Sequence, residues 1–83
     1  MRFILRGTEV DLEPDDVRRA IDGLAPEPIR KYWVRIGPWR YPPKQVLEAA
    51  LKGKGYEVTR VGFTTSDAFS ILKKLGFELG EGR

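Results

Sequence analysis

Cysteine and histidine are both missing from this 83-residue chain. Without cysteine there is no disulfide framework, no thiol nucleophile and no cysteine-based zinc site. Without histidine the chain lacks the imidazole that HNH nucleases, Ser-His-Asp hydrolases and most zinc enzymes use as a base or a ligand. The sequence therefore excludes those classes of enzyme, and we expect a protein without a cofactor.

Long apolar runs are missing as well. No stretch approaches the roughly 18 residues that a membrane span needs. The opening segment MRFILRGTEV turns polar too early for a signal peptide, so we expect a cytoplasmic protein. The composition, 41% apolar and 11% aromatic, is typical of a globular chain. We expect one domain over residues 1–83, near the lower size limit for a self-supporting core.

Charge is distributed unevenly along the chain. Residues 1–29 hold four basic and seven acidic groups, a net charge of −3, whereas residues 30–83 hold eleven basic and five acidic groups, a net charge of +6. This separation indicates an electropositive face that would attract nucleic acid or another polyanion. A surface enriched in charged residues for stability alone would give the same composition, so composition leaves both interpretations open.

The first part of the chain predicts a hairpin and a helix. Two short strands are expected at residues 2–6 and 9–12 around a turn at Gly7. The segment EPDD is typical of a helix start, because proline suits the first turn and carboxylates complement the helix dipole. Apolar residues then recur with helical spacing. This apolar stripe consists of Val17, Ala20, Ile21 and Leu24.

The segment RKYWVRI alternates as a half-buried strand does. The face that we expect to meet the core carries Tyr32, Val34 and Ile36. The other face, predicted to be exposed, is a basic strip with an indole at its centre, made of Lys31, Trp33 and Arg35. The turn GPWRYPP then leads into a short returning strand. Tyr41 of that strand is expected in the core, and Pro42 and Pro43 end it.

Two further helices complete the prediction. The first covers residues 44–52 and buries Leu47, Ala50 and Leu51. The segment YEVTRVGF fits either a strand or an extended loop. The second helix follows from TTSDAFSILKKLGF, with Thr64, Thr65 or Ser66 as its N-cap, and FEL forms a final short strand. We therefore predict an α+β fold, with a small antiparallel β-sheet and three helices.

Several of these segments resemble a known module. The motifs YWVRIGPWRYPPKQVLEAALKG and FTTSDAFSILKKLGFEL, within residues 14–79, are similar to the N-terminal head domain of ScoMcrA-like restriction endonucleases. The resemblance implies a domain that contacts DNA and that accompanies separate base-reading and HNH nuclease domains. One departure is the turn IGPWRY, where the family usually has an acidic residue and glycine.

Charge and resemblance together predict a non-enzymatic nucleic-acid-binding module, with double-stranded DNA as the expected partner. Four or five phosphate contacts would give a slope of log K against log salt of roughly −4. Trp39 fits either exposure or burial, and Lys44 either contact or packing along the sheet. The hydroxyls at residues 64–66 fit a phosphate seat or plain helix capping. The predicted contact residues are Lys31, Trp33, Arg35, Trp39, Arg40, Lys44, Lys52, Lys54, Arg60, Thr64, Thr65 and Ser66.

Two other functions stay open from sequence. In a protein-interaction domain, exposed tryptophan and arginine side chains would anchor a partner. In a metal-dependent nuclease, the acidic cluster before the first helix would have to converge on a metal ion. That cluster comprises Asp11, Glu13, Asp15 and Asp16. Acidic residues at a helix start more often complement the dipole, which disfavours the nuclease.

Overall fold

The computed structural model describes residues 1–82, which form five strands and three α-helices. The strands are β1 (Arg2–Leu5), β2 (Thr8–Asp11), β3 (Tyr32–Ile36), β4 (Trp39–Tyr41) and β5 (Glu78–Glu81). The helices are α1 (Pro14–Ala20), α2 (Pro43–Gly53) and α3 (Thr65–Lys74), and a 3₁₀ turn covers Arg60–Gly62. The predicted α+β class is confirmed, but the strands are divided between two antiparallel sheets rather than one.

The first sheet is the hairpin of β1 and β2, in which Phe3 is paired with Val10. Its turn residues, Arg6 and Gly7, both have positive φ values, 50° and 85°. This is the backbone of a two-residue hairpin turn, and glycine adopts it without a steric penalty. The predicted turn at Gly7 is therefore confirmed, and the hairpin contributes buried Leu5 and Val10 to the core.

The second sheet has the order β4-β3-β5. One face carries Val34, Ile36 and Tyr41, all buried in the same core as residues of α2 and α3. The opposite face, called here the outer face, carries Trp33 and Arg35 of β3, Arg40 of β4, and Glu78 and Gly80 of β5. Tyr41 is only 2% exposed, which confirms its expected place in the core.

The helices pack on one another around that core. Helix α2 buries Val46, Leu47, Ala50 and Leu51 along one stripe, as its spacing predicts. Helix α1 ends at Ala20, one turn earlier than the predicted stripe. Residues 21–23 form a turn, and Gly23 has a φ of 78°. Leu24 still packs against the core, but from the loop that follows.

The ambiguous segment before α3 is a loop that contains the 3₁₀ turn, and it forms no strand. Thr64 is the N-cap of α3, and Phe63 just before it is buried. After α3 the chain returns as β5 along β3. Across residues 1–82 no helix combines the length and the apolar character that a bilayer crossing requires.

Candidate nucleic-acid interface

The predicted contact residues lie on several separate surfaces rather than on one. Four of them line a cleft where α2 begins: Lys31, Lys44, Arg60 and Thr65. Three lie on the outer face: Trp33, Arg35 and Arg40. Trp39 lines a different groove. The others are distributed over the ends of α2 and α3.

The cleft has a volume of about 650 Å³ and is rich in cations. We call it the basic cleft, and it is lined by Glu27, Pro28, Arg30, Lys31, Tyr32, Pro42, Pro43, Lys44, Arg60 and Thr65. Four basic side chains therefore face one carboxylate. Within residues 1–82, neither Arg30 nor Lys44 forms an ion pair, and the Lys44 ammonium lies 5.9 Å from the Phe63 ring centroid. The basic cleft therefore presents uncompensated positive charge.

Arg60 forms one wall of the basic cleft and is held by two carboxylates. Its guanidinium donates two hydrogen bonds to Glu27, of 2.7 and 3.0 Å, and two to Glu48, of 3.1 and 3.0 Å. Its backbone N–H also donates to Glu48, at 2.8 Å. The hydrogen bonds from Arg60 lower the pKa of Glu27. Arg60 therefore joins the 3₁₀ turn, α2 and the loop at Glu27, and its charge is already balanced.

Gln45, in the first turn of α2, binds the loop at residues 25–27 that borders the basic cleft. Its side chain is only 4% exposed. The amide nitrogen donates to the carbonyl of Ala25 and the amide oxygen accepts from the N–H of Glu27, both at 2.9 Å. Because buried polar side chains need hydrogen-bond partners, this pair of bonds fixes the loop that carries Arg30 and Lys31 towards the cleft.

Lys31 does not lie on the basic strip that strand alternation predicts, because β3 begins only at Tyr32. Its ammonium lies 5.2 Å from the Tyr32 ring centroid and 3.7 Å from a carboxylate oxygen of Glu81. The Tyr32 ring in turn makes an edge contact with Phe69, at a centroid distance of 5.5 Å. Lys31 is thus turned to the basic cleft, and only Trp33 and Arg35 of the strip remain on the outer face.

The predicted exposure of Trp33 is wrong. The residue does lie on the outer face, yet only 9% of it is exposed. Its indole lies across Gly80 of the neighbouring strand, where an added Cβ would come within 2.2 Å of Cζ2. The Arg40 guanidinium carbon is 4.1 Å from the ring centroid. Trp33 is buried because glycine leaves space for the ring and arginine covers it.

Trp39 is the exposed tryptophan, with 59% of its surface accessible. It is paired with Ile36 near the tip of the β3–β4 hairpin. With Ile21, Leu24 and Pro26 it lines a groove of about 780 Å³, called here the Trp39 groove, between the hairpin and the end of α1. The Tyr41 hydroxyl donates to the Leu24 carbonyl at 3.3 Å and fixes the floor of this groove.

The other predicted contact residues lie away from the basic cleft. Lys52 and Lys54 are at the far end of α2, about 12 Å and about 15 Å from Lys44 by helix rise, and the Lys54 ammonium is 3.5 Å from Asp16. Thr64 accepts a hydrogen bond from the Asp67 N–H at 3.1 Å. This hydroxyl therefore serves as a helix cap, and Ser66 is exposed beside it.

The acidic cluster is dispersed among local ion pairs. Asp15 pairs with Arg18, and Asp16 with Arg19 and Lys54. A hydrogen bond from the Glu13 N–H, followed by the charges of Lys54 and Arg19, lowers the pKa of Asp16. In the described part of the chain, no three acidic side chains converge as a metal site requires.

The predicted contact residues leave out two residues that shape the basic cleft, Arg30 and Gln45. Arg30 follows directly on the proline-containing loop APEPI, and its position next to Lys31 is a signal that could have placed it in the site. Gln45 gave no such signal, because a glutamine in the first turn of a helix is ordinarily solvated. Only the packing of the loop over α2 shows that it is buried.

The fold and the cleft define the class: a small α+β domain with a basic surface depression at the start of a helix. Within that class, the chain belongs to the SCO5918-like family, whose model matches residues 1–82. The match extends over β1 and β2 as well as over the segments from α1 onward. Comparison with curated proteins and with solved structures finds no match.

Proposed function

We propose that this protein is a non-enzymatic nucleic-acid-binding module that holds DNA phosphates in the basic cleft, with double-stranded DNA as its expected partner. The observation that supports it most directly is the arrangement of Arg30, Lys31 and Lys44 around one depression whose carboxylate, Glu27, is already paired with Arg60. Neutralising phosphates with such cations supplies most of the affinity of non-specific DNA binding.

The start of α2 adds to this positive potential. Pro42 is its N-cap, and among residues 1–82 no side chain caps the helix there. Pro43, at the first helical position, has no N–H, so the N–H groups left without intrahelical partners are those of Lys44 and Gln45, and together with the helix dipole they favour a phosphate oxygen. Lys44 lies in this first turn and beside the cleft, so charge and dipole act on the same volume.

The resemblance to the head domain of ScoMcrA-like endonucleases supports DNA as the polymer and a role beside a restriction nuclease, and it is consistent with a cytoplasmic location. These finer statements remain predictions. The Arg and Lys character of the cleft supports the proposal independently, because neither residue loses its charge near neutral pH.

Fluorescence anisotropy with labelled duplex and single-stranded DNA at ~50 mM salt tests the proposal. We expect binding whose log K falls with log salt with a slope of roughly −3, if three cations of the cleft neutralise phosphates. The double variant Arg30→Gln, Lys44→Gln should lower affinity about 10-fold or more and make the slope shallower by roughly two.

The matched control removes the same charge elsewhere. Lys73→Gln and Lys74→Gln together change two exposed cations in the last turn of α3, outside the basic cleft. This pair should lower affinity much less than the cleft pair. Equal losses from both double variants would contradict a defined cleft site, and absence of binding to either DNA would refute the proposal.

A second candidate function rests on the Trp39 groove. A tryptophan that is mostly exposed beside apolar Ile21, Leu24 and Pro26 is the kind of residue that anchors a protein partner. Such an interaction would change little between low and moderate salt, in contrast to DNA binding. The simplest such partner is a second copy of this chain, which sedimentation of the protein alone over a range of concentrations would detect. Self-association that is lost in Trp39→Ala but kept in Arg30→Gln would favour this candidate.

A further inference from the structure

On the outer face, the Trp33 indole lies between the backbone of β5 and the side chain of Arg40. One side of the Trp33 indole lies on β5 at Gly80, where no side chain projects. The Arg40 guanidinium lies over the ring, 4.1 Å from the centroid. Arg40 is itself exposed, and within residues 1–82 it forms no ion pair. The group over the ring is therefore a charged side chain that no ion pair within residues 1–82 holds in place.

The contact of the Arg40 guanidinium with the indole is weaker than the stacking of a nucleobase that could replace it. A cation–π contact at an exposed site favours the covered state by a factor of roughly 2 to 5. Stacking of a nucleobase on an aromatic side chain changes affinity by roughly 5- to 150-fold. Exposed side chains change rotamer in picoseconds to nanoseconds, so a base would displace the guanidinium without any rearrangement of the sheet.

The charge of the outer face fits the same ligand. Arg35 and Arg40 are opposite each other on β3 and β4, and both are exposed. Glu78 is the acidic residue paired with Arg35 in β5, which leaves the face with a net positive charge. A guanidinium displaced from the indole stays within side-chain reach and would meet the phosphate that adjoins the stacked base.

We propose that the outer face is a stacking platform for an unpaired base of a single-stranded nucleic acid, with Trp33 as the platform, Gly80 as its support and Arg40 as a displaceable cover. This inference rests on the proposed function, because the basic cleft still holds phosphates of the bound strand; it adds that an unpaired base, which an intact duplex does not present, contacts the outer face. Phosphates in the basic cleft supply affinity without regard to base structure, whereas the platform requires a base.

Two oligonucleotides of equal length separate the two contacts: one of thymidines, and one of the same phosphates with abasic sites. Anisotropy at ~50 mM salt should show the thymidine strand binding at least about 5-fold more tightly. In a Trp39→Phe background, where Trp33 is the remaining tryptophan, the thymidine strand should quench the emission and the abasic strand should not.

Two arginine variants test the cover in the free protein. Arg40→Ala should increase quenching of Trp33 by acrylamide, because it uncovers the ring, and should keep or raise the preference for thymidine. Arg35→Ala removes the same charge from the same face without touching the ring cover, and should leave acrylamide quenching unchanged.

Equal affinities for the two strands, or Trp33 emission that is indifferent to thymidine, would overturn the platform while leaving phosphate binding intact. Quenching by the abasic strand to the same extent would also overturn it, since the phosphates alone would then move Arg40. If neither strand bound, the proposed function would fail together with the platform.

Discussion

Gly80 and Trp33 determine the shape of the outer face as a pair. The two residues are opposite each other on neighbouring strands, and cross-strand pairs of this kind are the unit of side-chain packing in a sheet. A glycine in a strand often marks a site of close approach by another group. Here that group is the indole, and the pair converts what would be an exposed aromatic into a covered one.

Replacing Gly80 with alanine should therefore destabilise the protein. The new Cβ would lie 2.2 Å from Cζ2 and 2.6 Å from Cε2 of Trp33, so the ring must leave its position. We expect a loss of roughly 1–3 kcal/mol in the free energy of unfolding, the usual cost of an overpacked site, measured by urea denaturation. Trp33 emission should also change, because the ring is displaced from the sheet.

Gly53→Ala is the matched control. Gly53 is the last residue of α2, and a Cβ there would meet Ala20 at an ordinary distance of 3.7 Å. Alanine in a helix should be neutral or stabilising by about 0.4–1 kcal/mol. Equal stability of Gly80→Ala and the parent protein would show that the ring is not held against the strand.

For Trp33, the sequence pattern predicts the face of the strand on which the residue lies but not its burial. Alternation assigned the residue to the correct face of β3, because side chains on a strand point to opposite sides in turn. It could not give burial, which depends on what the neighbouring strands present. The pairing of β3 with β5 joins residues 47 positions apart, Trp33 and Gly80, and no local pattern encodes that register.

At the scale of elements, the helix starts were more predictable than the sheets. Proline at the start of α1 and α2 and a hydroxyl before α3 are local signals with a direct physical cause. Hydrophobic periodicity likewise identified the buried face of α2. The division of the strands into a two-stranded and a three-stranded sheet was not predicted, since pairing partners are chosen by tertiary packing.

The cap of α3 supplies a test at this scale. The Thr64 hydroxyl accepts from the Asp67 N–H, and the Asp67 carboxylate accepts from the Thr64 N–H at 2.9 Å, a reciprocal capping box. Arg6 of the first hairpin also donates to Asp67, at 2.9 Å. Thr64→Ala should lower the free energy of unfolding by about 1 kcal/mol, measured by thermal or urea denaturation.

The same variant distinguishes a cap from a phosphate seat. Because the hydroxyl already serves the helix, Thr64→Ala should leave DNA affinity nearly unchanged under conditions where the protein stays folded. Ser66→Ala, in the exposed first turn of α3, is the control and should alter stability by no more than about 0.5 kcal/mol. A large loss of DNA affinity in Thr64→Ala would argue for direct contact.

Over the whole molecule, charge segregation along the sequence did not become a single charged face. The acidic part of the chain pairs with the basic part at several places, among them Glu27 with Arg60 and Asp16 with Lys54. Within residues 1–82, the cations that form no ion pair include Arg30 and Lys44 of the basic cleft and Arg35 and Arg40 of the outer face. The net charges of the two parts therefore predicted the sign of the surface, while folding determined which cations were neutralised.

These pairs give the stability of the whole protein a defined dependence on pH. Four carboxyl groups have lowered pKa values. Backbone N–H donors are the main cause at Asp16 and Asp67, and hydrogen bonds from Arg60 are the main cause at Glu27. Partial burial raises the pKa of Glu48, but the hydrogen bonds and the charge of Arg60 outweigh it. A carboxyl group whose pKa is lower in the folded state stabilises the fold at pH values above its pKa in the unfolded chain. That stabilisation is lost as the pH falls through its pKa in the folded state. The unfolded values are about 4.

We therefore expect the free energy of unfolding to be nearly constant between about pH 5.5 and 7.5 and to fall steeply below about pH 4.5. With neither histidine nor cysteine in the chain, no side chain of ordinary pKa titrates in the neutral range. The N-terminal ammonium, whose pKa is raised chiefly by a hydrogen bond to Glu13, contributes stability that is lost only as the solution becomes alkaline. Urea denaturation at a series of pH values measures the whole profile.

A pair of variants measures how much Asp16, a buried residue, contributes to the loss of stability in acid. Asp16→Asn should lower stability at neutral pH and make the acid loss shallower, because one group with a lowered pKa has been removed. Asp22→Asn, which changes an exposed residue, should leave the profile unchanged. A profile that rises on acidification, or that bends between about pH 5.5 and 7.5, would be inconsistent with carboxyl groups of lowered pKa as the source of the pH dependence.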